Sequence, residues 1–219
     1  MKAKLVIAII GSTGNMGTSI AKSLAHPNHK LLLFSNDLSK AKELKTTIES
    51  NTSLVEVEVQ ECPGEASWEA DIVILAVPFT AESEIAAKIK PYVTQKIVIS
   101  IANPLNNNYD GLLTAPGTSA AEELQKQLPD AIVIKAFNTT FAADFAQPVI
   151  DGKQTDAFIA GDNQAAVNAV AELVKVAGFN PVHAGKLSVS STLENMQLLL
   201  IQLNIQNNYN WHAGWKILH

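Results

Sequence analysis

Cysteine is nearly missing from this 219-residue chain, and charge is sparse. The single thiol, Cys62, can neither close an intramolecular disulfide nor supply a cysteine-based metal cluster, which fits a reducing compartment. Its expected place is partly buried, as a small apolar side chain. Charged residues make up 17% of the chain and leave a net charge of −5 with a pI near 5.5. That balance gives no general attraction to phosphate backbones or anionic lipid, so no nucleic-acid partner is expected. No apolar run reaches the ~20 residues that span a bilayer, which argues against a membrane partner. Met1 to Lys4 followed by Leu5 to Ile10 has the order of a secretory leader, but its apolar part is too short and leads straight into a glycine turn. The expected location is the cytoplasm. The five histidines lack metal-ligand spacing, and there is neither a G-x-S-x-G elbow nor a phosphate-loop lysine; no metal site is expected.

Aliphatic residues are abundant, in a chain that is 47% hydrophobic. Leu5 to Ile10, Leu31 to Phe34, Ile72 to Val77, Ile97 to Ile101 and Ile132 to Ala136 are apolar at consecutive positions, as strands covered on both faces are; Leu54 to Val59 adds another. Helical spacing lies between them, in Met16, Ile20 and Leu24, in Leu38, Ala41 and Leu44, and in Ile85 with Ile89. Strand alternating with helix predicts an α/β fold, a doubly wound, mostly parallel sheet of Rossmann type. Asp156 to Ala160, a helix from Gln164 to Ala177 capped by Gly178, and Pro181 to Ala184 predict an added C-terminal βαβ unit. A long C-terminal helix follows. Ser191 to Glu194 fits a capping box, and Leu193, Met196, Leu199, Leu200, Ile201, Leu203 and Ile205 give a broad apolar surface that must be buried, against the sheet or a second copy.

Gly11, Gly14 and Gly17 sit where the first strand turns into the first helix, the context in which a glycine fingerprint carries meaning. Gly11 makes the tight turn, Gly14 lets backbone approach a pyrophosphate and Gly17 lets helix pack on strand. The loop is G-x-x-G-x-x-G, one residue away from the usual spacing. It marks residues 1–150 as a dinucleotide-binding domain, with residues 151–219 expected to form a small C-terminal extension that ends the sheet on the substrate side and carries the long apolar helix as the candidate dimer helix. At the end of the second strand, Ser35 and Asn36 can donate to a 2′-phosphate and Lys40 can add charge, while Asp37 lies late for an NAD-type acid and suits a helix cap. NADP is therefore expected, with NAD as the alternative. Ala76 to Phe79, Ile101 to Leu105 and Ala136 to Thr140 leave the carboxyl ends of other strands and can wall a nicotinamide, stiffened by Pro78 and Pro104.

On Gly11 to Gly17, Ala76 to Phe79, Ser119 to Glu122, Lys135 to Phe141, and Ala184 to Ser188 preceding the helix with Glu194, the chain resembles the family of NADP oxidoreductases dependent on coenzyme F-420, with its bacterial dinucleotide-binding relatives. The resemblance covers nearly the whole chain. It implies direct hydride transfer between NADP(H) and a deazaflavin, a flavin-like ring or another small acceptor stacked on the nicotinamide, in a homodimer. It also implies that Gly11, Ser12, Thr13, Gly14, Asn15, Met16, Ser35, Asn36, Val77, Pro78, Ala102, Asn103 and Pro104 line the NADP site. The family's serine after the second strand is followed by arginine; here Asn36 and Asp37 follow Ser35.

Hydride transfer between stacked rings needs orientation more than an acid or base, so no catalytic dyad is expected. His212, between Trp211 and Trp215, is the one histidine kept as a candidate acid, against its ordinary reading as a packing or interface residue. Tyr92 and Lys96 read Y-x-x-x-K, but Pro91 and the strand that follows deny them a shared helical face. The rival from another class is a sensor that binds NAD(P) and turns nothing over, because a glycine loop specifies binding and not reaction. Imine and hydroxyacid reductases need a large helical second domain, for which too few residues follow Ala177.

Overall fold

The structure is a computed structural model that describes residues 4–52 and 54–218. In chain order it contains β1 (Leu5–Ile10), α1 (Asn15–Ser23), β2 (His29–Phe34), α2 (Leu38–Asn51), β3 (Glu56–Gln60), α3 (Pro63–Glu69), β4 (Ile72–Leu75), α4 (Phe79–Ile89), β5 (Ile97–Ser100), α5 (Ala120–Gln127) and β6 (Ile132–Lys135). A two-stranded ribbon of β7 (Val149–Ile150) and β8 (Lys153–Gln154) follows, then β9 (Asp156–Ala160), α6 (Gln164–Val176), β10 (Asn180–Gly185) and α7 (Ser190–Asn207).

The consecutive apolar runs are strands with two buried faces. Ile7, Ile9, Leu31, Leu33, Ile74, Ile99 and Ile134 pack against α1, α2 and α6, and their neighbours Ala8, Ile10, Leu32, Val73, Val98 and Val133 pack against α3, α4 and α5 on the other side. The alternation of side chains along a strand fills both layers from one sequence run. The main sheet has the order β10-β9-β6-β5-β4-β1-β2-β3. The chain winds outward from β1 to β3, then returns to β4 and winds the other way, which puts the reversal of direction beside β1. Phe34, Ile10, Leu75, Ser100 and Lys135 lie in one line of register across five parallel strands. Five loops therefore leave the sheet at one level, and the crevice at such a reversal is where open α/β sheets hold ligands.

The C-terminal βαβ unit is internally parallel, with Gly178 (φ +94°) closing α6, but β9 runs antiparallel to β6 and meets it at one residue pair, Lys135 with Ala160. Two details of the tail differ from expectation. No capping box forms at Ser191: helix α7 already starts at Ser190, and the Glu194 carboxylate turns inward to Lys135 instead of back to the helix start. The apolar surface of α7 is also split. Leu193, Leu200 and Ile201 are buried, each worth about 2 kcal/mol, whereas Leu199 and Ile205 face outward. The buried face includes Ser190, Glu194, Gln197 and Asn204, so polar groups compete with leucines for the interior. Cys62 is exposed rather than partly buried, because it lies in the turn that starts α3.

Candidate functional site

The glycine loop separates into two glycines that the fold requires and one that it does not. Gly11 has φ +89°, and a Cβ there would come within 2.5 Å of the Ala76 carbonyl oxygen. At Gly17, inside α1, a Cβ would strike the Gly11 carbonyl. Gly14 is different: its backbone is extended, and a Cβ would find nothing nearer than the Gly11 oxygen at 3.5 Å, ordinary contact. Gly14 precedes α1, whose first turn has no side-chain cap and no acidic residue. The free amides and the positive end of the helix dipole thus face an open surface. Ser12 does not: it is fully buried, with its hydroxyl donating to the Phe34 carbonyl oxygen at 3.1 Å.

Three adjoining clefts run along this edge and share residues, forming one trench. The outer cleft, of about 250 Å³, lies between the glycine loop, Phe34 to Asn36, Ala76 to Pro78, and the Ala81, Glu84, Ile85 and Lys88 face of α4. Ser35 is held by a 2.6 Å hydrogen bond with the Thr13 hydroxyl, and it accepts from the Asp37 amide. Asp37 caps α2 through the Lys40 amide, and bonds from the Lys40 amide and ammonium hold its carboxyl below the usual range. That ammonium sits 3.3 Å from Asp37, and Lys40 does not line the cleft. Lys88 does line it, 2.6 Å from Glu84. The middle cleft, of about 350 Å³, is bounded by Gly14 to Met16, Ala76 to Phe79, Ile101 to Asn103, and Leu105.

The inner chamber, of about 320 Å³, has no charged residue in its lining. Asn15, Met16 and Asn103 lead into it, Phe137, Asn138 and Phe141 come from the segment after β6, Gln197 and Ile201 from α7, and Trp211 from the tail. Trp211 stands edge-on to Phe141, ring centres 5.4 Å apart. Phe137 is wholly buried at φ +60°, a left-handed backbone that a bulky residue rarely adopts and that concentrates at functional sites. Asn103 and Asn138 are bonded reciprocally: the Asn103 amide donates to the Asn138 backbone carbonyl, and the Asn138 amide donates to Asn103 Oδ1, both at 2.9 Å. Asn138 Oδ1 and Gln197 Oε1 are buried without hydrogen-bond partners.

Beneath the Ala102 to Asn103 wall lies a buried charge cluster. Lys135 donates to the Ala102 carbonyl and lies 2.6 Å from Glu194 Oε1, with both side chains fully buried. Glu194 also accepts from the Ala120 amide at 3.0 Å. Glu82, on α4, receives a 3.3 Å hydrogen bond from Ser100, and burial pushes its carboxyl up to about 7 against the opposing pull of Lys135. Desolvation raises Glu194 too. The cluster ties α4, β5, β6 and α7 together under the trench.

Of the residues expected at the site, Gly11, Thr13, Gly14, Asn15, Met16, Ser35, Asn36, Val77, Pro78, Ala102 and Asn103 line the trench, while Ser12, Lys40 and Pro104 do not. His212 stands off the trench, its Nε2 3.1 Å from the Gln147 carbonyl oxygen. Lys96 donates to the Ser67 and Trp68 carbonyls, so Tyr92 and Lys96 form no catalytic pair. Glu84, Lys88, Tyr109, Phe141, Gln197 and Ile201 were not legible as lining residues; for the helical ones, the spacing names a face but not the cleft it meets. Among the described residues no cluster suits a metal ion, and no helix is long and apolar enough to cross a membrane.

Residues 6–104 match the family model described as NADP oxidoreductase, coenzyme F420-dependent. The chain is 30% identical to the F420-dependent NADP reductase of Methanocaldococcus jannaschii, over 91% of this chain and 92% of that protein. It is 28% identical to the F420-dependent NADP reductase of Methanothermobacter thermautotrophicus, over 96% of this chain and 94% of that protein. The crystal structure of an Arthrobacter sp. fb24 protein superposes with a TM-score of 0.81 over 99% of both chains at 21% identity, a likeness of fold.

Proposed function

The chain belongs to the family of coenzyme F420-dependent NADP oxidoreductases, and from that premise we propose that it exchanges hydride between NADP(H) and a deazaflavin or flavin-like ring laid against the nicotinamide. The observation that carries the reading is Gly14. The fold gives no reason for a missing side chain there, and the surface left open adjoins the uncapped start of α1 midway along the trench. A pyrophosphate suits it, since amides and helix dipole both favour an anion.

In this reading Gly11, Thr13, Gly14, Asn15 and Met16 hold the pyrophosphate, with Ser12 locking the loop from beneath through Phe34. Ser35 and Asn36 face the adenosine ribose. Val77, Pro78, Ala102 and Asn103 wall the nicotinamide, with Pro104 behind them. NADP is favoured over NAD because Ser35 and Asn36 at the end of β2 offer donors to a 2′-phosphate while Asp37 is engaged as the cap of α2; Lys88 lines the same cleft, paired with Glu84. The reduced nicotinamide supplies the hydride, and water supplies the proton that completes the acceptor's reduction. The chain's own part is orientation and exclusion of water: Asn103 and Asn138 brace each other, and Lys135 fixes the Ala102 carbonyl. Residues 1–150 act as the dinucleotide-binding part and residues 151–219 as the acceptor side and dimer helix. A cytoplasmic homodimer completes the proposal, with Leu199 and Ile205 of α7 turned toward a second copy.

Titration with NADPH and NADH, followed by steady-state oxidation with deazaflavins, flavins and quinones, tests this. Tighter NADPH binding and turnover with a ring acceptor are expected. NADH binding at least as tightly would end the NADP preference, and tight binding with no turnover would make the chain a redox sensor.

A further inference from the structure

The inner chamber holds a side chain that the fold leaves unsatisfied. Gln197 is 3% exposed, lines the chamber from α7, and has its Oε1 buried without a partner. An amide left this way is costly, so a group that remains so inside a cavity points to a ligand that completes it. The face that carries it is anchored: one turn earlier Glu194 is clamped to Lys135, which holds the rotation of the helix. Asn138 differs, because its amide nitrogen is already committed to Asn103 and only Oδ1 remains, enough for a single N–H. The surroundings offer no charged group for recognition. Phe137, Phe141 and Trp211 give the chamber aromatic walls, no lysine lines it, and the chain's sixteen basic residues are all lysines, with no arginine anywhere.

Resting on the reading of the trench as a hydride-transfer site, we propose that the Gln197 amide reads a cyclic imide edge, the C=O, N–H, C=O sequence of a pyrimidinedione ring, on the second substrate, and so determines acceptor specificity. An amide offers a carbonyl and an NH₂ side by side, which pair with the imide N–H and one flanking carbonyl. The imide is symmetric about its N–H, so either orientation of the Gln197 amide is satisfied. A quinone has carbonyls and no N–H, and leaves one end of the amide unpaired. Sites built around a hydrogen-bonding group reject analogues that lack it far more strongly than apolar pockets reject a missing methylene.

The test uses the full chain with 5-deazariboflavin and its N3-methyl derivative, which keeps both carbonyls and the ring but loses the N–H. Binding is followed by fluorescence in the presence of NADP⁺, and turnover by NADPH oxidation. The wild type should prefer the parent ring by roughly tenfold or more in kcat/KM. Gln197→Leu should lose activity with the parent ring, treat the two rings alike, bind NADPH as before and melt no lower, since the substitution removes an unsatisfied amide. Equal use of both rings by the wild type overturns the inference. So does a Gln197→Leu variant that retains the preference, or a failure of the parent ring to bind. Reduction of a quinone with no response to deazaflavins would sink the imide inference and leave hydride transfer standing. Imide-dependent binding without turnover of any acceptor would do the reverse.

Discussion

Gly14 and Gly17 lie three residues apart, at the cap and in the first turn of α1, and have opposite reasons for being glycine. A methyl group at Gly17 meets the Gly11 backbone, whereas at Gly14 it meets only van der Waals contact. Gly17→Ala is therefore expected to lower Tm, while Gly14→Val leaves Tm nearly unchanged and abolishes NADPH binding; thermal melts paired with NADPH titrations read both. Unchanged affinity in the Gly14 variant would remove the dinucleotide assignment. At Glu82 the prediction concerns pH. Folding raises this carboxyl from 4.5 to about 7, so the folded state holds the proton more tightly than the unfolded state does. Its contribution is most favourable below about pH 4.5, is lost as pH rises toward 7, and above that leaves the fold about 3 kcal/mol less stable than an unshifted carboxyl would. Asp144, pushed up to about 6 by burial, acts with the same sign. Glu82→Gln, neutral at every pH, should raise Tm at pH 8 and flatten its dependence between pH 5 and 8. Equal pH profiles for the variant and the wild type would contradict this.

At the scale of elements, α7 depends on the match between Lys135 and Glu194. Removing one partner of a wholly buried pair strands the other's charge, at about 3–5 kcal/mol, whereas replacing both with apolar residues restores most of the loss. Lys135→Met is accordingly expected to melt far lower than wild type, and Lys135→Met with Glu194→Leu to recover stability. The recovered variant should still show a raised KM, because the Ala102 carbonyl has lost its donor. Recovery of both Tm and KM would show that the pair only supports the fold. Glu194 also shows where sequence patterns stop. Ser191 to Glu194 has the spacing of a cap, but spacing carries no information about depth, and a cation buried on β6 redirects the carboxylate. The central strands were legible because each carries a run of consecutive apolar residues. The seven-residue α3, which starts at Pro63, is too short for a periodic face and was not.

In the whole molecule, the strand-end loops were readable because the register of β2, β1, β4, β5 and β6 ends at one level, so loops distant in sequence converge. The antiparallel joint between β6 and β9 was not readable, since strand direction follows from how the chain returns and not from the residues of either strand. Assembly is the prediction at this scale. If α7 meets a second copy through Leu199 and Ile205, sedimentation will give twice the 23.5 kDa chain mass, and Leu199→Asp with Ile205→Asp will halve it. A monomeric wild type at micromolar concentration would rule out that assembly. One further property follows from Trp211. It leans edge-on against Phe141 in the lining of the inner chamber, while Trp68, in α3 just before β4 begins, stands exposed at the opposite edge of the sheet. The protein therefore carries its own optical probe of occupancy: with Trp215, which packs beside Phe141, replaced by Phe, filling the chamber should quench the Trp211 emission more strongly than that of Trp68.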